Sequence, residues 1–213
     1  MRAGSACRIG LSLAMTAGIV ASVPSPALQV FLLDPARSRV LVHVGKSGLF
    51  SFAGHTHEVA APVRAGRVVY DAGDPARSSV VVEFDAAALR VTGRGEPAED
   101  VPEVQRTMLG PRVLDVERFP RIAFESRRIS VTAASGDRLS LRIAGELTLH
   151  GVTRPAAAVV EAQVGAEEIA ARGRLTVKQT DFGIRPVTAG AGTVRVKDAL
   201  DIEFSLLARR TPE

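Results

Sequence analysis

The chain has 213 residues, with 27 lysines and arginines against 23 aspartates and glutamates, and aromatic residues make up only 4% of it. Its basic residues are scattered among acidic ones without a long run, and few aromatic side chains are available to stack on bases, so the composition gives no support to nucleic-acid binding. The only cysteine is Cys7. Because a lone cysteine forms no internal disulfide, the fold must be stabilised by its hydrophobic core.

The first 27 residues have the pattern of a secretory signal peptide. Arg2 and Arg8 precede an apolar stretch over residues 9–23, and the small residues Ser25 and Ala27 follow where a signal peptidase cleaves. The stretch has roughly 15 residues, whereas a transmembrane helix needs about 20. We predict cleavage near Ala27 and a periplasmic or secreted protein, with an uncleaved membrane anchor as the alternative.

Residues 28–213 form one predicted all-β domain, because about 185 residues fit a single barrel or sandwich and no linker or repeat divides them. Apolar and polar residues alternate along six segments, and this period of two puts the apolar side chains on one face of each strand. The apolar positions are Val40, Val42 and Val44; Val80, Val82 and Phe84; Leu139, Leu141, Ile143, Gly145, Leu147 and Leu149; Ala158, Val160, Ala162 and Val164; Ile169, Ala171, Gly173, Leu175 and Val177; and Leu200, Ile202, Phe204 and Leu206.

Three further strands are predicted near Leu28 to Leu33, in one long segment after His55 through Tyr70, and from Arg121 to Val131. The total of about eight, with hairpin-length connections, favours an eight-stranded antiparallel barrel, which closes its own edges and can hold one small ligand. An open sandwich of two sheets is the structural alternative.

One long connection, from Thr92 to about Asp115, contains a short predicted helix. Asp100 and Glu103 resemble a capping box, and Gly110 followed by Pro111 is a helix stop. Two interpretations stay open at this point. The segment is either a lid beside a binding cavity or a connection that closes one end of the barrel.

The inferred inner face is rich in small side chains, namely Gly145, Ala158, Ala162, Ala171 and Gly173. Because protein interiors pack with few voids, a barrel filled by its own residues would need bulkier ones. We therefore predict a cavity, with tight barrel curvature as the alternative reason for small residues.

Three segments appear in the order and spacing of the YceI-like family. They are LDVERFPRIAFES (Leu114 to Ser126), GELTLHGVTRP (Gly145 to Pro155) and TDFGI (Thr180 to Ile184). Asp34, Ser38 and Val40 also resemble the opening of that family, so the resemblance covers essentially everything after the signal peptide. The chain departs from the family pattern at Gln179, where an arginine is common, and in GHTHEV (Gly54 to Val59), which resembles one subgroup better than the commonest pattern.

The resemblance implies a lipocalin-like eight-stranded barrel that is exported and non-catalytic, and that sequesters or carries an isoprenoid or similar apolar lipid. Contact with a membrane would then be transient, no cofactor other than a bound polyisoprenoid is expected, and the oligomeric state stays open, a dimer included. The inward residues that we predict to line the apolar lumen are Val42, Val82, Phe84, Phe124, Leu141, Ile143, Leu147, Val160, Ala162, Leu175, Ile202 and Phe204.

The histidines offer an alternative function as a metal-binding module. His55 and His57 are two residues apart on an extended segment, so both imidazoles would lie on one face, and His43 or His150 could complete a site only if the fold brings them near. For His150, a structural role at the end of a strand is favoured. A second alternative is a structural or interaction domain with a filled core.

Catalysis has little support in the sequence. Gly45, Lys46 and Ser47 match the end of a phosphate-binding loop, but valine stands at position 40, where that motif starts with glycine, and no G-x-S-x-G turn occurs. Asp181, Phe182 and Gly183 indicate a turn with a buried aromatic ring, because no other kinase motif accompanies them. We predict no catalytic residues, although a Ser/His/Asp cluster assembled by folding stays open.

Overall fold

A computed structural model of the protein describes residues 28–47, 57–189 and 194–211, so the predicted signal peptide lies outside it. Within these ranges the chain forms one α-helix, α1 (Val101–Leu109), and twelve strands. The strands are β1 (Gln29–Leu33), β2 (Arg39–Ser47), β3 (His57–Ala60), β4 (Val63–Tyr70), β5 (Ser79–Asp85), β6 (Arg90–Val91), β7 (Arg121–Ser135), β8 (Arg138–Leu149), β9 (Val152–Val164), β10 (Glu168–Lys178), β11 (Thr188–Ala189) and β12 (Val194–Arg210).

The sheet closes on itself. Antiparallel pairing runs in the order β1, β4, β5, β7, β8, β9, β10 and β12, and β12 then pairs with β1 through Phe31 opposite Arg210. The prediction of a closed eight-stranded barrel is therefore confirmed, and the alternative of an open sandwich is wrong. Strand β12 is long enough to pair also with β2, and β3 and β6 continue the wall from there.

The period of two in the sequence accounts for the two faces of the wall. Along β8, residues Leu139, Leu141, Ile143, Gly145, Leu147 and Leu149 are buried, and the residues between them face outward. This alternation confirms the predicted assignment of the inner face, because a shift of one residue would turn every leucine to the solvent.

The predicted strand after His55 through Tyr70 differs from the structure. The described residues form two strands, β3 and β4, with a break at Ala61 and Pro62. Proline has no N–H to donate to a neighbouring strand, which explains why the ladder is interrupted there. Strand β7, in contrast, continues four residues beyond the predicted Val131 and pairs with the start of β8.

Helix α1 lies where the sequence predicts it and ends at Gly110, whose N–H donates to the carbonyl of Arg106 at 3.0 Å. The predicted capping box does not form. Asp100 has a helical backbone conformation and its side chain makes no capping bond, whereas a capping residue is typically extended. Glu103 instead contacts Arg106 at 2.9 Å, one turn further on.

The ends of the barrel follow from the strand register. Leu149, Val177 and Leu200 lie toward α1, which we call the helix end, and Leu139, Ala162 and Ile169 lie toward the opposite end.

Over the described part of the chain, none of the helices has the length and apolar character needed to cross a bilayer.

An apolar cavity as the candidate functional site

A cavity of about 600 Å³ lies inside the barrel, within the size range typical of small-molecule sites. Inward-facing residues of the strands form most of its wall, and helix α1 contributes Val104, Thr107 and Met108. A barrel with this much internal space is not filled by its own side chains. The filled core that a structural or interaction domain would have is therefore not observed, whereas the structural or interaction role itself stays an alternative prediction.

All twelve residues predicted to line the lumen lie on the cavity wall. They come from seven strands: Val42, Val82, Phe84, Phe124, Leu141, Ile143, Leu147, Val160, Ala162, Leu175, Ile202 and Phe204. The alternation of apolar and polar residues located them, because a closed barrel has only one inside. Their part in binding a ligand stays a prediction.

The two inner-face glycines do not create the space that the sequence predicts for them. A Cβ at Gly145 would lie 2.8 Å from the Cζ atom of Phe124, and a Cβ at Gly173 would lie 2.6 Å from the carbonyl oxygen of Val159 and closer still to the ring of Phe204. Each glycine thus allows a phenylalanine ring to lie across the neighbouring strand. The alanines at positions 158, 162 and 171 do line the cavity.

Helix α1 is attached to the barrel through Gln105. The side-chain amide of Gln105 donates to the carbonyl of Leu89 at 2.9 Å, and its oxygen accepts from the N–H of Val91 at 2.8 Å. Both backbone groups belong to the β6 region, where α1 also has its main packing contacts. The helix therefore lies at one end of the barrel and forms part of the cavity wall. Its action as a lid stays a prediction.

The cavity wall includes a few polar groups, which are separated along the barrel. His57, Glu96 and Gln179 lie toward the helix end, whereas Tyr70 and Ser78 lie toward the opposite end. Burial raises the pKa of the Tyr70 phenol above its ordinary value of 10.0, and the neighbouring Asp71 carboxylate raises it further. Tyr70 is therefore neutral over the physiological pH range.

His57 and Glu96 form a close polar pair at the helix end. The Nδ1 atom of His57 lies 2.6 Å from Oε1 of Glu96, and the Glu96 side chain is only 2% exposed. The second carboxylate oxygen, Oε2, is buried and has no hydrogen-bond partner among the described residues. Sequence reasoning missed Glu96, because a single carboxylate between Gly95 and Pro97 has no distinguishing pattern.

The TDFGI segment confirms the predicted turn with a buried aromatic ring. Phe182 is 1% exposed, and Gly183 ends the turn in a left-handed conformation with φ of 74°. Asp198 on β12 holds the turn, since it accepts from the N–H of Thr180 at 2.9 Å and from its hydroxyl at 2.7 Å. The backbone hydrogen bond from Thr180 is the main cause that lowers the pKa of Asp198 below 3.8.

Gln179 lies at the start of this turn, on the cavity wall. Its side-chain amide donates to the carbonyl of Lys197 at 2.8 Å, and the residue is buried. The neutral amide satisfies a backbone carbonyl and adds no charge to the cavity. The arginine common in the family at this position would instead place a cation there.

The histidines do not assemble into a metal site within the part of the chain that the structure describes, where no group of three or more His, Cys, Asp or Glu side chains has suitable geometry. His150 contacts the carbonyl oxygen of Phe182 at 3.1 Å through Nδ1, and its ring packs edge-on against Phe119, which is the structural role expected for it. His43 lies among outer-face carboxylates, 3.7 Å from Glu203. His55 lies outside the described residues.

The fold and the cavity define the class of protein: a small antiparallel β-barrel that encloses an apolar cavity. A family model described as YceI-like domain matches residues 31–208, and the chain belongs to the YceI-like family. This membership confirms the resemblance carried by the three sequence segments.

Comparison with known proteins agrees with this assignment. The UPF0312 proteins of Pseudomonas savastanoi pv. phaseolicola and of Pseudomonas syringae pv. syringae are each 29% identical to the chain over 147 residues, which is 65% of this chain and 67% of theirs. The crystal structure of BcnA from Burkholderia cenocepacia superposes with a TM-score of 0.62 at 19% identity, and the match covers 82% of this chain and 98% of BcnA. That similarity supports the fold.

Proposed function

We propose that the protein is an exported, non-catalytic carrier that sequesters an isoprenoid or similar apolar lipid inside its barrel. The single observation that supports this most directly is the cavity of about 600 Å³ whose wall consists almost entirely of aliphatic and phenylalanine side chains. Export follows from the predicted signal peptide and its cleavage near Ala27.

The apolar wall supplies enough free energy for such a ligand. An isoprene unit buries four to five carbons, so each unit contributes about 3 to 4 kcal/mol before costs, at about 0.8 kcal/mol per CH₂. Association and ordering cost several kcal/mol and micromolar affinity needs about 8 kcal/mol net, so about three or four buried units are sufficient for micromolar binding. An apolar wall of this kind selects long apolar chains and discriminates weakly among them.

The experiment is organic extraction and mass spectrometry of the purified mature protein, with native mass spectrometry of the same sample. We expect a stoichiometric apolar lipid, either copurified or taken up from an envelope extract. If no lipid is found under either condition, the carrier proposal is wrong.

A pair of variants on neighbouring residues of β8 tests whether the lipid lies inside the barrel. Leu147→Glu places a carboxylate on the cavity wall and should abolish lipid uptake, whereas Thr148→Glu places the same group on the outer face and should leave uptake intact. Circular dichroism verifies that both variants are folded. Equal uptake by the two folded variants would show that the lipid binds elsewhere.

A further inference from the structure

Only one of the two oxygens of the Glu96 carboxylate has a hydrogen-bond partner among the described residues. Oε1 is engaged by His57 at 2.6 Å, whereas Oε2 is buried without a hydrogen-bond partner among the described residues. Buried polar atoms of native proteins are almost always hydrogen-bonded, because an unsatisfied one costs free energy of desolvation that nothing offsets. It is the one such side-chain atom in the described part of the chain, so it requires a specific explanation.

The position of this atom points to a ligand. Both His57 and Glu96 lie on the wall of the apolar cavity, at the helix end, and Val44, the cross-strand partner of His57, lies on the same wall. A molecule that occupies the cavity therefore lies beside this unpartnered carboxylate, on a wall that is otherwise mostly apolar. Such a combination of an apolar wall and a few placed polar groups is how binding sites orient their ligands.

The chemistry of the pair determines what kind of group it can bind. A Glu96 carboxylate has no hydrogen to donate, so in this bond Nδ1–H of His57 is the donor, and the second carboxylate oxygen can only accept as well. The ligand must then supply a donor, which an alcohol or phenol O–H provides.

The surrounding charges disfavour an anionic head group. The ionisable side chains on the wall at this end are His57, Glu96, Asp100 and Glu103, and no described lysine or arginine lines the cavity. A phosphate has no donor when ionised and would lie beside carboxylates of the same sign, which costs free energy in a site of low dielectric.

We propose that Glu96 is the head-group acceptor of the cavity, that His57 is its positioning residue, and that the preferred ligand is a long-chain lipid alcohol rather than its phosphate ester. This inference rests on the proposed carrier function, which concerns the tail, and adds the chemical class of the head group.

Three probes with one isoprenoid tail test it: geranylgeraniol, its methyl ether and geranylgeranyl monophosphate. The ether retains the tail and the oxygen but lacks the donor. Because a hydrogen bond to a charged group is among the stronger ones, we expect the native protein to bind the alcohol about tenfold or more tightly than the ether, and the monophosphate least well. Equal affinities for the alcohol and the ether would overturn the proposal.

Variants of the pair give the second test. Glu96→Gln replaces the accepting oxygen by an amide N–H donor, so the preference for the alcohol over the ether should disappear, whereas Glu99→Gln, an exposed residue three positions away, should retain it. His57→Gln keeps an N–H donor and should retain the preference, but His57→Leu should reduce it. A Glu96→Gln protein that still distinguishes the alcohol from the ether would contradict the proposal.

The two proposals fail in different ways. If none of the three probes binds the native protein, the carrier function itself is wrong. If all three bind with the same affinity, the carrier function stands and the role of Glu96 is wrong. The comparison of probes on the native protein stays decisive even where a variant does not fold.

Discussion

The ring of Phe204 lies across Gly173, its direct partner on the neighbouring strand of the barrel. A Cβ at position 173 would meet both this ring and the carbonyl oxygen of Val159, so the strand can approach this closely only without a side chain there. An aromatic ring that covers a glycine on the adjacent strand is a known way to stabilise a bent sheet. Gly173 therefore serves close packing of the wall.

Gly173→Ala should destabilise the protein by about 2 kcal/mol or more, because the added methyl group meets backbone as well as a ring and cannot be accommodated by side-chain motion alone. Chemical denaturation measures the effect. Gly45→Ala is the matched control, since the three atoms nearest to its Cβ all belong to the flexible side chain of Lys197, and we expect a change of no more than about 0.5 kcal/mol. Equal losses in the two variants would contradict the packing role of Gly173.

Val160→Phe should reduce the ligand capacity of the barrel. Val160 is 3% exposed and lies on the cavity wall, so a larger ring occupies space that the ligand needs. Titration with geranylgeraniol measures the loss. Val159→Phe is the control, because Val159 is 52% exposed on the outer face of the same strand. If the outer substitution lowers binding as much as the inner one, the ligand does not occupy the cavity.

Tyr70 should report on occupation of the cavity. It is the only tyrosine, and tryptophan is absent, so tyrosinate absorbance arises from this residue alone. Burial already raises the pKa of Tyr70 above 10.0, and a ligand that removes more water from the phenol should raise that pKa further. A spectrophotometric titration with and without geranylgeraniol measures the shift. An unchanged titration midpoint at saturating ligand would place the ligand away from Tyr70.

Gln105→Ala should loosen helix α1 from the barrel. The substitution removes two hydrogen bonds to the backbone of Leu89 and Val91, one of which leaves a partly buried N–H without its acceptor. We expect a loss of about 1 to 3 kcal/mol in local stability, visible as faster hydrogen exchange over residues 101–109, and faster release of ligand. Arg106→Gln, which removes only an exposed ion pair with Glu103, should leave both unchanged. Equal exchange rates in the two variants would contradict the role of Gln105.

Asp198→Asn should lower stability at neutral pH but not in strong acid. The folded protein lowers the pKa of Asp198 below its ordinary value of 3.8, so the ionised carboxylate stabilises the fold above that pH. The contribution is lost as the pH falls through the folded pKa, where the native side chain is protonated too. Asp198 is partly exposed, so the difference at pH 7 should be no more than about 1 kcal/mol.

Thermal unfolding at a series of pH values measures this difference. Asp201→Asn, on the same strand, is the control, since among the described residues Asp201 accepts only the hydroxyl of Thr176. A deficit in Asp198→Asn that stays constant from neutral pH into strong acid would show that the carboxylate charge has no part in holding the turn.

Sequence reasoning located the wall of the cavity but not its polar site. Leu141, Leu147 and Leu175 could be assigned to the interior because strand side chains alternate strictly, and this local rule needs no knowledge of the partner strands. Glu96 could not, because its burial depends on the path of an irregular connection. The packing role of Gly173 could not be predicted either, because it depends on which residue of β12 pairs with Gly173 in the barrel.

By itself, the sequence determined where most of the barrel strands lie, which face of each of these strands is apolar, and where helix α1 ends. These properties follow from backbone geometry within one segment. Only the tertiary structure decided that β12 closes the barrel onto β1, that Phe204 covers Gly173, and that Glu96 meets His57 across 39 positions of chain. Such contacts join segments distant in sequence, and they arise only when the strands pair and fix their register.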